Sequence, residues 1–97
     1  MNEIMKRFVL NKEVLFQRFG KEAILVNLDD ETIYQLNETG ARIAELLAKE
    51  RSVRELLTIL DREFNKNSSD IEWDVLTFLE GMLSHELVVE PQTPNQT

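Results

Sequence analysis

Ile33-Tyr34-Gln35-Leu36-Asn37-Glu38-Thr39-Gly40-Ala41-Arg42-Ile43 holds the point where this chain changes from strand to helix. Thr32 to Leu36 is rich in β-branched and aromatic residues, so it reads as a strand, with Leu36 ending it on the inward side. Asn37 is suited to cap a helix, because its short side chain can accept from an amide of the first turn. The helix expected behind it spans about 38–49, with Ala41, Ile43, Ala44, Leu46 and Leu47 as its apolar positions. Gly40 lacks a Cβ and allows another element to approach the helix backbone closely.

Upstream of this junction the pattern is β. Val14-Leu15-Phe16-Gln17-Arg18-Phe19 and Ala23-Ile24-Leu25-Val26-Asn27-Leu28 are separated by Gly20-Lys21. An acidic turn, Asp29-Asp30-Glu31, precedes the third run. Connections this short predict an antiparallel meander. Phe8-Val9-Leu10 is expected to add a short edge piece.

Downstream the pattern is α. Ser52-Val53-Arg54-Glu55 has the form of a capping box, and Val53, Leu56, Leu57, Leu60 and Phe64 make one helical stripe behind it. Asn65 to Ser69 is polar and loop-like. Ser69-Asp70-Ile71-Glu72 is a second capping-box sequence and opens a helix of about 70–85. Leu87-Val88-Val89 is extended, and Pro91 to Thr97 reads as a polar tail outside a domain of residues 1–90. The fold class is therefore α+β: a three-stranded antiparallel β-meander followed by a three-helix bundle resembling a winged helix-turn-helix.

Composition narrows the function. A chain of 97 residues, 42% apolar, builds one core. With no cysteine, disulfides, thiolate metal sites and thiol catalysis are excluded. No apolar run approaches the roughly 20 residues of a membrane span, and Met1 to Leu10 does not read as a secretory signal. The expected location is cytoplasmic, with no membrane partner.

The formal charge of −7 is unevenly placed. From Asn67 to Thr97 there is no Lys or Arg, while Asp70, Glu72, Asp74, Glu80, Glu86 and Glu90 fall in that stretch. A helix-turn-helix that binds DNA places its last helix among phosphates and draws affinity from Lys and Arg. Here each carboxylate would repel a phosphate, so no nucleic-acid partner is expected. A winged-helix transcription regulator is the alternative reading, and the charge map opposes it.

The last helix has a wide apolar surface. At about 100° per residue, Ile71, Val75, Phe78, Leu79 and Met82 form a core stripe. Leu76 and Leu83 lie on its flank, with Trp73 and Glu80 beyond. One reading is that Trp73 covers the rim of the core. The functional reading makes Trp73, Leu76, Thr77, Glu80 and Leu83 one wall of a groove and Thr32, Ile33, Tyr34, Gln35 and Leu36 the other. An edge strand presents unpaired N–H and C=O groups to which a peptide can add as a further strand.

These residues resemble a known family. The segment Tyr34-Gln35-Leu36-Asn37-Glu38-Thr39-Gly40-Ala41-Arg42-Ile43 is similar to the aromatic-x-Leu-Asn-x-Thr-Gly-Ala-x-Ile signature of the PqqD-like family, also called the RiPP recognition element. Ser52-Val53-Arg54-Glu55-Leu56-Leu57 is similar to the family's second helix start, and Asp74 to Leu83 to its final helix. The resemblance covers about residues 6–90. One departure is Ala44, where many members carry Trp.

The resemblance implies a peptide chaperone. Such domains bind the leader of a ribosomally made precursor, which adds antiparallel to the third strand of the meander against the last helix. They deliver it to a modifying enzyme such as a radical SAM enzyme. The acidic cleft adds the expectation of a leader carrying Lys or Arg beside its apolar anchors. A third reading is a structural homodimer whose groove holds a neighbouring protomer. No catalytic residues, cofactor or metal are expected. His85 is the sole imidazole, placed to meet a helix C-terminus, and consecutive carboxylates at 29–31 do not converge on one ion.

Overall fold

The computed structural model describes residues 5–64 and 68–91, with the side chains of Ser68 and Ser69 left aside. In chain order the elements are β1 (Arg7–Leu10), β2 (Val14–Phe19), β3 (Glu22–Asn27), β4 (Thr32–Leu36), α1 (Glu38–Leu46), β5 (Arg51–Ser52), α2 (Val53–Glu63), α3 (Ser68–Ser84) and β6 (Val88–Val89). The loop expected over Asn65 to Ser69 falls largely outside the described residues. So does the tail from 92 onward.

The predicted meander is present, in the order β2-β3-β4, with both pairs antiparallel. Phe19 pairs with Glu22 across a two-residue turn. Gly20 takes the left-handed φ of +63° that the first residue of such a turn requires. Asn27 pairs with Thr32 across the longer acidic turn. Inside it, Asn27 Oδ1 accepts from the Asp29 amide, and Asp30 Oδ1 accepts from both the amide and the hydroxyl of Thr32. Side chains alternate across the sheet. Ala23, Leu25, Asn27 and Leu36 are buried on the inner face, while Leu15, Phe19 and Ile33 are exposed on the outer one.

The N-terminal strand corrects the expectation of a short edge piece on this meander. β1 is the centre of a second sheet, ordered β5-β1-β6. Arg7 pairs with Ser52 and Phe8 with Arg51 on one side, Val9 with Val89 and Leu10 with Val88 on the other. Arg7 Nε also donates to Glu50 at 2.7 Å. The physical reason lies in sequence separation. β5 and β6 are two residues each, too short to show a period of two, and the partners are more than forty positions away.

The helix caps are local and form as read. Asn37 Oδ1 accepts from the Gly40 amide at 2.9 Å. Ser52 and Glu55 complete a reciprocal capping box. The equivalent box at Ser69 involves a side chain outside the described set. α1 ends at Leu46 rather than near 49: Ala48 and Lys49 donate to Glu45 and Leu46 in tightened i→i−3 bonds, and Arg51 Nε takes the Leu46 carbonyl. α3 closes with Glu86 at φ +60°. Leu87 N–H donates to Met82 and Glu86 N–H to Leu83, the Schellman pattern.

One core joins the layers. Leu25 of β3, Ile43 and Leu47 around α1, Leu56 and Leu60 of α2, Val75 of α3 and Val88 of β6 are fully buried. Ala44 is also fully buried, within this core. α1 packs on the inner face of the meander, and α2 packs against α3.

Candidate functional site

The open edge of β4 can be resolved residue by residue. The Leu28 amide donates to the Glu13 carbonyl at 2.8 Å. These two residues continue the β2–β3 register, in which Val14 faces Asn27 and Leu15 faces Val26. In an antiparallel ladder, bonded and non-bonded pairs alternate. The even-numbered residues of β3 therefore turn their backbone groups to β2, and Ala23, Leu25 and Asn27 turn theirs to β4. Their partners Leu36, Tyr34 and Thr32 are consumed internally. What remains pointing outward from β4 are the N–H and C=O of Ile33 and of Gln35.

Beyond this edge lies one flank of α3. The Tyr34 ring, on the inner side of β4, meets His85 with ring centroids 5.2 Å apart and planes tilted by 43°. Further along, Phe78 lies against the first turn of α1, where a Cβ added at Gly40 would stand 3.0 Å from its Cε1. Gly40 thus admits the Phe78 ring. Asn37, Thr39, Gly40 and Ile43 of the α1 segment face Trp73, Asp74, Thr77 and Phe78 across a hollow of about 380 Å³. Trp73 stands on its rim with 70% of its surface exposed.

The other flank of α3 is a separate place. Leu76, Leu79, Glu80 and Leu83 border a second hollow, also about 380 Å³, closed by Phe8 of β1 and Val53 of α2. The ten residues singled out in the sequence are therefore not gathered in one cleft. Ile33 and Gln35 present the open backbone groups. Thr32, Tyr34 and Leu36 face inward beside them. Trp73 and Thr77 border the hollow toward α1. Leu76 and Leu83 lie across the buried stripe from it, and Glu80, on the exposed face between the two sides, borders the second hollow. Sequence reasoning passed over Asn37, Thr39, Asp74, Gly81 and His85 as site residues. On the α3 side the signal is angular: Asp74, Gly81 and His85, together with Phe78, occupy the side of the wheel opposite Leu76 and Leu83.

Acidic groups ring the edge and the hollow. Asp30 and Glu31 stand at the start of β4, Glu38 and Asp74 near its far end. The Thr32 hydroxyl and amide hold the Asp30 carboxyl below its ordinary value, so it stays ionised. Among the described residues no group of three or more His, Asp or Glu side chains could hold a metal, and no helix is long and apolar enough to cross a membrane.

Two solved structures share this fold. One is described as TbiB1 in complex with the TbiA(beta) leader peptide, with a TM-score of 0.77 and 22% identity, covering 88% of this chain and 99% of the other. The second is a lasso peptide synthetase B1 complexed with the leader peptide, at 0.72 and 21%, covering 84% and 96%. A comparison with curated proteins found no match. The sequence profile of the coenzyme PQQ synthesis protein D (PqqD) family matches residues 22–88, from the start of β3 to β6 and well over half of the chain. That match spans the β4–α1 junction, the Asn37 cap and the Gly40–Phe78 contact, and this chain belongs to the PqqD family.

Proposed function

We propose that this chain binds the leader segment of a ribosomally made precursor peptide by strand addition to β4, and presents it to a separate modifying enzyme. The observation that carries this reading is the pair of outward-facing residues, Ile33 and Gln35, running beside an α3 flank with a hollow at one end. The likeness to two structures solved with leader peptides supports it, as does membership of the PqqD family.

Magnitudes show why the flank matters as much as the edge. Two residues offer four backbone bonds, each worth about 0.5–1.5 kcal/mol net. A micromolar complex needs about 8 kcal/mol, after the cost of ordering an extended guest. The edge alone falls short. Two apolar side chains of the guest, each contributing about 1.5–3 kcal/mol on burial, close the gap. Backbone pairing fixes the pose, and the α3 flank supplies the specificity.

The role is recognition without catalysis. The chain has no cysteine and one histidine, and that histidine lies against the Tyr34 ring. The partner enzyme would be a separate chain, such as a radical SAM enzyme, in keeping with the family resemblance. Transcription regulation finds no support: α3 and the return behind it carry no Lys or Arg.

The test is a fluorescence titration. Trp73 is the only tryptophan and stands on the rim of the hollow. Synthetic leaders from short precursors encoded beside this chain should shift its emission saturably, at micromolar concentration or below. Their affinity should fall as salt rises, because the cleft is acidic. A leader that its enzyme requires, yet that leaves Trp73 emission and the heat of mixing unchanged, would defeat the proposal.

A further inference from the structure

The chain has three glycines, and the fold explains two. Gly20 supplies a left-handed φ, and Gly40 makes room for Phe78. Gly81 does neither. It lies inside α3 with an ordinary helical backbone, and a Cβ added there would meet nothing within 4 Å. Glycine is the least favourable residue of a helix interior after proline. No contact among the described residues requires it at this position.

Its place in the helix indicates what does. Gly81 follows Phe78 by three positions and precedes His85 by four, so the three share one flank. His85 rests on Tyr34 of β4, and Phe78 rests on the start of α1. The empty space over Gly81 therefore opens between these two contacts, on the side of α3 that faces the free edge of β4.

The register of an added strand points a side chain into that space. A guest bonded to Ile33 and Gln35 places one residue opposite Tyr34. Side chains of residues directly opposite share a face of the sheet, with Cβ atoms about 4.5–5.5 Å apart. This guest residue therefore projects inward with Tyr34, toward α3, whereas its two neighbours project outward.

We propose that Gly81 forms the notch receiving this residue, and that the ligand class is an extended leader segment with a large apolar side chain opposite Tyr34. The inference rests on the strand-addition reading and makes it more specific. Gly81 is then a specificity-determining position whose missing side chain is replaced, in the complex, by one from the guest.

The experiment uses the full chain and a displayed library of random 12-residue peptides. Peptides selected on the wild type should carry a large apolar residue at one fixed position. Gly81→Ala should raise the melting temperature, since alanine favours the helix and its methyl meets open space. It should also weaken the selected peptides roughly tenfold, the scale for a methyl-sized misfit in a pocket. Gly81→Leu should abolish their binding, and shrinking the peptide's large residue to Ala should restore part of it.

If the wild type yields binders that are lost on Ile33→Pro but bind Gly81→Ala and Gly81→Leu within twofold, the notch is overturned and strand addition stands. If the wild type yields no binders, or binders indifferent to Ile33→Pro, strand addition fails and the notch with it. Should Gly81→Leu fail to fold, Gly81→Ala alone decides, because stability and affinity are expected to move in opposite directions.

Discussion

The two flanks of α3 differ in composition, the one with Leu76 and Leu83 being the more apolar, and in what faces them. On one, Leu76, Glu80 and Leu83 border a hollow with Phe8 and Val53, side chains of the protein's own second sheet and α2. On the other, Thr77, Phe78, Gly81 and His85 look toward α1 and a strand with unspent backbone groups. The first flank has apolar surface without a template. The second has both. The same lesson applies to the two edges of the meander. Among the described residues β2 and β4 are each paired on one side only; α1 lies against both strands, with Arg18 of β2 reaching Glu45 at 3.0 Å, whereas α3 meets β4 through the Tyr34–His85 contact. A bare edge is common in proteins; an edge beside an unfilled flank is where we propose that the leader docks.

The largest expected effect breaks the template. Ile33→Pro removes one outward N–H while leaving the β3 ladder intact, and leader affinity should fall by about a hundredfold or more. Tyr34→Pro is the contrasting variant: its N–H is spent on Leu25, so it should disturb the sheet itself. Calorimetric titration, with circular dichroism to confirm the fold, reads both. Unchanged affinity in a folded Ile33→Pro chain would remove strand addition as the docking mode.

A smaller effect separates the flanks. Lysine is a good helix former and carries the charge expected of the leader, so Thr77→Lys and Leu83→Lys are matched probes. Thr77→Lys should weaken the leader roughly tenfold, about 1.4 kcal/mol. Leu83→Lys should leave affinity within about twofold. The reverse order would place the guest against Leu76, Glu80 and Leu83, beside the hollow bounded by Phe8 and Val53.

The smallest effect concerns a region away from either flank. Arg42 Nε and Nη2 grip the two carboxylate oxygens of Glu63 at 2.8 and 2.6 Å, tying α1 to the end of α2. These bonds hold the Glu63 carboxyl below its ordinary value of about 4.5 and raise the Arg42 guanidinium in turn. A carboxylate with a lowered folded value stabilises the fold above its unfolded value, and that contribution is lost as pH falls through the folded one. The pair is more than a third exposed at Glu63, so Glu63→Gln should cost no more than about 1 kcal/mol at pH 7. The gap from wild type should close as pH falls below the ordinary value and through the lowered folded one, and leader affinity should not change. Urea denaturation at neutral and acid pH measures the first, and the Trp73 titration the second.

Much of this could be read along the chain because it is local. Asn37 capping Gly40, the Ser52–Glu55 box, the two-residue turn at Gly20 and the core stripes of α2 and α3 each depend on residues within a few positions of one another. The excess apolar width of α3 was equally legible, and so was the acidity of everything after Asn67. The role of β1 was not, because Arg7 and Phe8 pair with residues more than forty positions away and Val9 with a residue about eighty away. Nor was the assignment of Leu76 and Leu83 to the side away from β4.

The amino-acid sequence by itself determined the elements, their caps, the family and the sign of the charge. It did so because capping, periodicity and composition act at short range. Only the tertiary structure decided which flank of α3 adjoins the edge of β4. A helix shows its apolar width through a repeat of 3.6 residues, but the repeat carries no information on what stands beside each flank. That is fixed by β1 and α2 standing beside one flank, and by the Tyr34–His85 and Gly40–Phe78 contacts turning the other toward the strand.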